Sequence, residues 1–221
     1  FFGAAISLIA YEAGLLLKRK FRMAIFNPLL IAIIAVMAVL SLLHIDYDTY
    51  NQSGQYISYL LTPATVCLAV PLYQQMELLK KNLKAVVIGI VSGVLASMVS
   101  VLLLAKLFRL SHEQYVTLLP KSITTAIGMG VSEELGGIVT ITVAVIIITG
   151  VLGNMLAETV IRLAHIEEPI AKGLALGTSA HAIGTAKAME LGEVEGAMSS
   201  LAIAVAGLLT VVGASVFAQF M

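Results

Sequence analysis

Six stretches of the sequence are apolar over the length of a membrane-spanning helix. Such a helix needs about 20 mostly apolar residues, within a range of roughly 17–25, to cross a bilayer. The six stretches are Phe1–Leu17, Ala24–Leu43, Tyr59–Gln75, Ala85–Leu107, Gly137–Ile161 and Gly196–Phe220. The mean hydropathy is +1.00, and the hydrophobic fraction of 59% exceeds the roughly 45–50% of soluble domains. The sequence therefore predicts an all-α membrane protein.

Two further segments are shorter and more polar. Pro120–Val131 and Ala171–Met189 contain Gly, Thr, Ser and Lys, which makes them poor lipid-facing helices and indicates broken or re-entrant segments. Together the eight segments predict a polytopic membrane helix bundle with about 7–8 membrane segments, at least two of them broken or re-entrant. Because no linker is visible, we expect a single domain over residues 1–221.

Charge predicts the topology of the first half. Basic residues cluster at Lys18, Arg19, Lys20 and Arg22, and again at Lys80, Lys81 and Lys84. Short basic loops of this kind stay in the cytoplasm, which places the 44–58 loop outside. The formal net charge is zero and no long basic tract is present, so no nucleic-acid partner is predicted.

Internal symmetry is a further possibility, because many transporters consist of two related halves. A shift of about 113 residues aligns Ala64–Pro71 with Gly177–Gly184 and suggests repeat halves 1–113 and 114–221. Four spans per half would make the repeat parallel, whereas an inverted repeat requires a re-entrant segment. The sequence does not decide between these arrangements, nor between a repeat and chance similarity.

The first cluster of polar residues lies in the segment that starts at Pro120. Polar groups at membrane depth are costly unless they face protein or water, so each is a functional candidate. On a helix Lys121, Thr124 and Thr125 share one face, and a break at Gly128 would free backbone N–H groups beside them. With Ser122, these groups suit a small carboxylate. Alternatively, Lys121 snorkels to the interface and the threonines bond their own helix.

The second cluster lies in the segment from Gly173. Thr178, His181 and Thr185 fall on one helical face, beside Ser179. We predict that Thr178, Ser179 and Thr185 bind substrate, that His181 carries a coupling proton, and that helix breaks occur at Gly177 and Gly184. The alternative is a structural histidine. No second ligand stands at metal spacing, so no metal is predicted.

The third cluster surrounds two prolines in one span. Pro63 and Pro71 each remove a backbone donor and free a carbonyl, so we predict helix breaks there and a substrate contact from Thr65. A kinked packing helix is the alternative. No nucleophile-elbow, phosphate-loop, dinucleotide or zinc motif is present, so neither an enzyme nor a cofactor is expected.

Three motifs carry a resemblance to a known family. GTSAHAIGTAKAMELGEVEGAMSSLAIAVAGLLT resembles the C-terminal signature of LrgB/CidB proteins, and TPATVCLAVPLYQQ and PKSITTAIGMGVSEELGG resemble the two central motifs of that family. The similarity covers essentially the whole chain. Two residues depart from the family pattern, since Ala126 replaces a usual Pro and Thr62 replaces a usual Gly. The missing proline weakens the prediction of a break near Gly128.

The resemblance implies a bacterial plasma-membrane protein with several spans. Family members are described as antiholin-like or holin-like proteins that act with a small LrgA/CidA-type partner on murein hydrolase activity and autolysis, and plastid relatives resemble glycolate and glycerate carriers. We therefore expect a transporter component for small monocarboxylates such as pyruvate, in a homo-oligomer. The alternative is a non-transporting regulator or pore component, which would assemble through the small-residue faces at Gly89/Gly93 and Gly196/Ser200.

Overall fold

The computed structural model describes residues 1–21, 26–67 and 69–221, without the side chains of Leu61, Thr62 and Thr65. Within these residues all regular structure is helical, which confirms the predicted all-α class. The chain divides into two compact units, Phe1–Cys67 and Leu68–Met221.

The described residues of the first unit form four helices. They are α1 (Phe2–Phe21), α2 (Pro28–Leu42), α3 (Tyr47–Ser58) and α4 (Leu61–Cys67). Helix α3 packs on α1, where Ser53 Oγ accepts a hydrogen bond of 2.9 Å from the Gly3 N–H. Most of the connection at residues 44–58 is therefore helical, and its placement outside the membrane stays a prediction. Asp46 caps α3 by accepting from the Thr49 N–H at 3.2 Å, a helix start that the sequence signals with its Asp.

The second unit contains eight helices and a terminal 3-10 turn in the described part of the chain. They are α5 (Ala69–Gln74), α6 (Met76–Lys81), α7 (Leu83–Phe108), α8 (His112–Leu118), α9 (Thr125–Glu134), α10 (Val139–Leu163), α11 (Pro169–Leu191) and α12 (Glu193–Phe217), with the turn at Ala218–Phe220.

Three helices among the described residues are long and apolar enough to cross a membrane. They are Leu83–Phe108, Val139–Leu163 and Glu193–Phe220, and they coincide with three of the predicted spans. The chain is a membrane protein on this evidence of length and composition. A total of 7–8 membrane segments and an internal repeat remain predictions.

Helix α11 packs tightly along α12, with residues 173 and 177 of α11 facing residues 195 and 199 of α12. A Cβ atom on Gly173 would meet the Glu195 backbone, and one on Gly177 would lie 2.5 Å from the Ser199 carbonyl oxygen. Both positions therefore require glycine, since the facing atoms are backbone and cannot move aside like a flexible side chain. Ala197, Met198 and Ala202 are buried along the same contact.

We expect Gly177→Ala to destabilise the protein by about 1–3 kcal/mol, because the added methyl group overpacks the contact between α11 and α12. Gly130→Ala is the matched control, since Gly130 also lies in a helix but faces open space. The control should be neutral or stabilising by up to about 1 kcal/mol, because alanine has the higher helix propensity. Thermal unfolding in detergent measures both changes. Equal stability of the two variants would contradict the requirement for glycine at the contact between α11 and α12.

Candidate functional site

Lys121 and Ser122 lie in a turn between α8 and α9. Helix α8 begins at a capping box formed by Ser111 and Gln114 and ends before Pro120, a residue that commonly follows a helix end because it cannot continue the helix. Residues 119–124 form turns, and α9 begins at Thr125 with Thr124 at its N-cap. Lys121 therefore does not share a helical face with Thr124 and Thr125, so that part of the prediction was wrong.

Gly128 does not break the helix. The Gly128 N–H donates to the Thr124 carbonyl at 2.8 Å, and α9 continues through it to Glu134. The absence of a side chain instead leaves room for Ile146 of α10. The predicted interruption exists, but it lies at residues 119–124, where Pro120 stops the preceding helix.

Buried hydroxyl groups hold this turn against α10. Thr142 Oγ1 lies 2.9 Å from the Thr117 carbonyl oxygen and 2.7 Å from Ser132 Oγ, and all three residues are buried. Thr117 Oγ1 also accepts from the Ile138 N–H at 2.8 Å. These contacts satisfy polar groups of α8, α9 and α10, and they hold the two helices that flank the turn against α10.

The Lys121 ammonium group contacts a pair of serine hydroxyls. Lys121 Nζ donates to Ser122 Oγ at 3.0 Å, and Ser122 Oγ lies 3.0 Å from Ser97 Oγ of α7. Ion pairs found among the described residues do not include Lys121. The result is a cation with two adjacent hydroxyls that has a charge to neutralise.

These groups line a cavity of about 900 Å³ between α7 and α11. Small side chains of α7 form one wall, and Gly93 permits α11 to approach so closely that a Cβ atom there would lie 2.7 Å from Thr178 Oγ1. The lining residues are Asn82, Ala85, Gly89, Ser92, Gly93, Ala96, Ser97, Ser100, Lys121, Ser122, Val160, Glu168, Ile170, Ala171, Leu174, Ala175, Thr178 and Ser179.

Helix α11 is broken where the second polar cluster lies. Ala180 and His181 have non-helical torsion angles, with φ −130°, ψ 18° and φ 41°, ψ −136° respectively. The predicted interruption is therefore present, although it lies between Gly177 and Gly184 and at neither glycine. Those glycines serve close packing instead, since a Cβ atom on Gly184 would lie 2.5 Å from the Leu176 carbonyl oxygen.

His181 is buried at the break and contacts α10. Its Nε2 atom lies 3.0 Å from the Ile146 carbonyl oxygen, and the ring packs against Gly150. A carbonyl oxygen can only accept a hydrogen bond, so Nε2 carries a hydrogen atom in this geometry. Nδ1 is then the atom at which His181 gains or loses a proton. His181 is not among the residues that line the large cavity.

The hydroxyl groups of α11 face different surroundings. Thr178 Oγ1 and Ser179 Oγ line the cavity and donate to the carbonyls of Leu174 and Ala175 at 2.8 Å and 2.6 Å. Thr185 is fully buried and lies 2.7 Å from Ser199 Oγ, away from the cavity lining. The structure thus brings Lys121, Ser122, Thr178 and Ser179 to one cavity and separates Thr185 from them.

The proline segment contributes less to this cavity. Pro63 is the third residue of α4, just after a turn at Tyr59–Leu60. It therefore lies within the first turn of a helix, where its missing N–H has no intrahelical partner to lose. Pro71 lies in α5, and because residue 68 is outside the described residues, the helix break predicted at Pro71 stays a prediction. The side chain of Thr65 lies outside the described residues.

The polar residues of α7 were missed by the sequence reasoning. Asn82, Ser92, Ser97 and Ser100 all line the cavity, but each lies in or beside a segment that composition identifies only as a transmembrane span. The positions Gly89, Ser92, Gly93, Ser97 and Ser100 follow one another at intervals of three, one, four and three residues, which marks a small and polar helix face. That periodicity was the available signal.

Metal ligands are not grouped in the structure. No cluster of three or more His, Cys, Asp or Glu side chains that could hold a metal ion occurs in residues 1–21, 26–67 and 69–221. The lining of the cavity combines one cation, Lys121, with one carboxylate, Glu168, several hydroxyl groups and apolar walls.

An all-helical fold with three helices of membrane-spanning length among the described residues, two interrupted segments and a cavity lined by a lysine defines a helical membrane protein. The sequence profile of the LrgB-like family matches residues 7–220. Among the relatives, the antiholin-like protein LrgB of Bacillus mycoides (strain KBAB4) is 40% identical over 221 residues. That of Bacillus cereus (strain B4264) is 39% identical, and both alignments cover 100% of this chain and 96% of the relative.

The chain therefore belongs to the LrgB-like family, as the three motifs predicted. The match extends over both units of the structure. No solved structure is significantly similar to this chain.

Proposed function

We propose that this protein is a transporter component for small monocarboxylates of the pyruvate or glycolate type. The observation that carries the proposal is the Lys121 ammonium group, which lies with the hydroxyls of Ser122 and Ser97 in a cavity of about 900 Å³. An ammonium group and neighbouring hydroxyls supply the charge and the hydrogen-bond donors that a carboxylate needs.

The depth of Lys121 in the bilayer supports a role in transport. With 26 residues, α7 is long enough to cross the hydrocarbon core, which is about 30 Å thick. Ser97 lies roughly 21 Å from the first residue of α7 and 16 Å from the last, at about 1.5 Å rise per residue. The Lys121–Ser122–Ser97 group therefore lies close to the middle of the helix, where transporters bind their substrates.

The cavity has room for a small acid together with water. Its wall on α7 consists largely of Gly, Ala and Ser side chains. Water beside the Lys121 ammonium group lowers the cost of keeping that group charged at membrane depth. The hydroxyls of Thr178 and Ser179 on the opposite wall donate to carbonyls of their own helix, so their oxygens are left to accept hydrogen bonds from water.

We extend the proposal to proton coupling through His181. Its Nδ1 atom is free to take up a proton while Nε2 remains bonded to the Ile146 carbonyl oxygen. Imidazole is a group that proteins use to carry protons, and His181 lies at the break of α11, the helix that carries Thr178 and Ser179. Protonation at this position would change the local packing of the segment that lines the cavity.

The cellular setting follows from family membership. We propose a bacterial plasma-membrane protein with several spans that works with a small LrgA/CidA-type membrane partner and as a homo-oligomer. An effect on murein hydrolase activity and autolysis would then be a consequence of carboxylate transport.

A second function, favoured by the antiholin-like names of the relatives, is a regulator or pore component without transport activity. Such a protein would assemble through small-residue helix faces. However, Gly89 and Gly93 already pack against Leu174 and Thr178 of the same chain, and Gly196 packs against Met189. Because these faces are occupied internally, we favour transport.

We expect Lys121→Ala to reduce uptake of labelled pyruvate into proteoliposomes roughly tenfold or more, because a hydrogen bond to a charged group contributes about 1.5–3 kcal/mol. Lys106→Ala is the matched control, since Lys106 is exposed in the last turn of α7 and should leave uptake unchanged. Uptake is measured as the initial rate, with and without the small partner.

Two outcomes of this assay would contradict the transport proposal. Lys121→Ala vesicles with the uptake rate of the parent would exclude the assigned site. Leakage of an uncharged dye from vesicles that carry the parent protein, without preference for carboxylates, would support the pore component instead.

For His181→Gln we expect pyruvate accumulation driven by a pH gradient to be lost while exchange of labelled for unlabelled pyruvate is retained. The glutamine amide can still donate to the Ile146 carbonyl, whereas it takes up no proton at neutral pH. A protonophore should abolish accumulation in the parent and change nothing in the variant. Accumulation by His181→Gln at the rate of the parent would show that the proton passes elsewhere.

A further inference from the structure

Three lysines lie at one end of the large cavity. Lys80 and Lys81 end α6, and Lys84 lies in the first turn of α7; all three side chains are exposed. We call these residues the basic cluster. They surround a second cavity of about 470 Å³, which is lined by Lys80, Lys81, Asn82, Leu83, Lys84 and Ala85.

The two cavities meet at the start of α7. Asn82 and Ala85 line both of them. The cavity among the lysines is therefore adjacent to the cavity that is lined by Lys121. From Asn82 the lining of the large cavity follows α7 through Gly89 and Gly93 to Ser97. This path covers roughly 22 Å at about 1.5 Å per residue, which is the distance from the membrane surface to its middle.

We propose that the basic cluster is the anion-attracting mouth of this path, by which small carboxylates reach Lys121 from the side of the membrane that carries Lys80, Lys81 and Lys84. The proposal rests on the proposed function, because it describes the route by which a carboxylate would reach the site at Lys121. A cleft lined by charges of one sign raises the local concentration and the arrival rate of ions of the opposite sign.

One acidic residue opposes the three lysines at the mouth. Glu168 precedes α11, is exposed and lines the large cavity at the same end as Ile170 and Ala171. Its side chain makes no capping hydrogen bond to α11, so Glu168→Gln removes a negative charge without the loss of a cap. Neutralising the lysines should therefore slow the approach of an anion, and neutralising Glu168 should speed it.

The test measures access to the cavity with a thiol reporter, independently of transport. Ala96 lines the cavity, and Ala96→Cys in a Cys67→Ala background leaves one reactive thiol. The rate of modification is compared between an anionic and a cationic methanethiosulfonate reagent, applied to sealed vesicles from each side. Ala96 lies roughly 18 Å along α7 from Lys84 and 15 Å from Lys106, beyond the Debye length of about 10 Å at 0.1 M salt.

We expect the anionic reagent to react faster than the cationic one from the side of the basic cluster. The variant Lys80→Gln, Lys81→Gln, Lys84→Gln should lower the anionic-to-cationic rate ratio about tenfold, at the lower end of electrostatic steering effects. Glu168→Gln should raise the ratio. Both changes should disappear in about 1 M salt, where the Debye length is about 3 Å.

Matched variants separate the effect of charge from an effect on folding. The triple Lys→Arg variant keeps the charge and should keep the ratio of the parent, and Lys106→Gln at the other end of α7 should leave the ratio unchanged. The proposal is overturned if the triple Gln variant keeps the ratio, if Lys106→Gln lowers it equally, or if the thiol of the Ala96→Cys variant cannot be modified.

The same vesicles distinguish the mouth from the transport function. If the anionic-to-cationic rate ratio depends on the basic cluster but the protein moves no pyruvate, the proposed mouth is supported and the proposed transport function is rejected. If the protein takes up pyruvate but the rate ratio does not depend on the basic cluster, the proposed transport function is supported and this access route is rejected. When both hold, the triple Gln variant should raise the pyruvate KM at low salt and leave kcat unchanged.

Discussion

The cost of holding the Lys121 ammonium group at membrane depth governs how the second unit is arranged. A lysine at the centre of a transmembrane helix costs about 2.5–3.5 kcal/mol on insertion scales, and no ion pair among the described residues neutralises Lys121. The structure meets this cost in two ways. The lysine lies in a turn between helices, and it points to a cavity with hydroxyl groups of α7 and α11.

The apolar helices serve as the frame for this arrangement. Helices α7, α10 and α12 have the length and composition of membrane spans, while the two interrupted segments, at residues 119–124 and Ala180–His181, lie between them. Irregular backbone at membrane depth is tolerated only where it is buried in protein or lines water. Both interruptions meet this condition, since Leu119, Ser122 and Ile123 are buried and His181 is buried in contact with Ile146.

Much of the fold could be predicted from the sequence, because apolar segments of fixed length leave few alternatives to helices. The spans around α7, α10 and α12 and the unusual polarity of the segments at Lys121 and His181 were all visible. The positions of the breaks were less predictable. Glycine was expected to interrupt the helices at Gly128, Gly177 and Gly184, but these residues permit close packing instead, a role that depends on partners distant in sequence.

The site was likewise predicted in part. Lys121, Ser122, Thr178 and Ser179 do share a cavity, whereas Thr185 is buried against Ser199. The serines of α7 were overlooked because a few hydroxyls barely change the hydropathy of a long apolar segment.

The central claim is that a small carboxylate binds at Lys121, and lysine footprinting tests it most directly. Purified protein in nanodiscs is reductively methylated with and without glycolate, which has no carbonyl that reacts with amines, and modification of each lysine is measured by mass spectrometry against sodium chloride of equal ionic strength. We predict that glycolate protects Lys121 in a saturable manner and leaves Lys106 unchanged. Equal modification of Lys121 with and without glycolate would contradict the account.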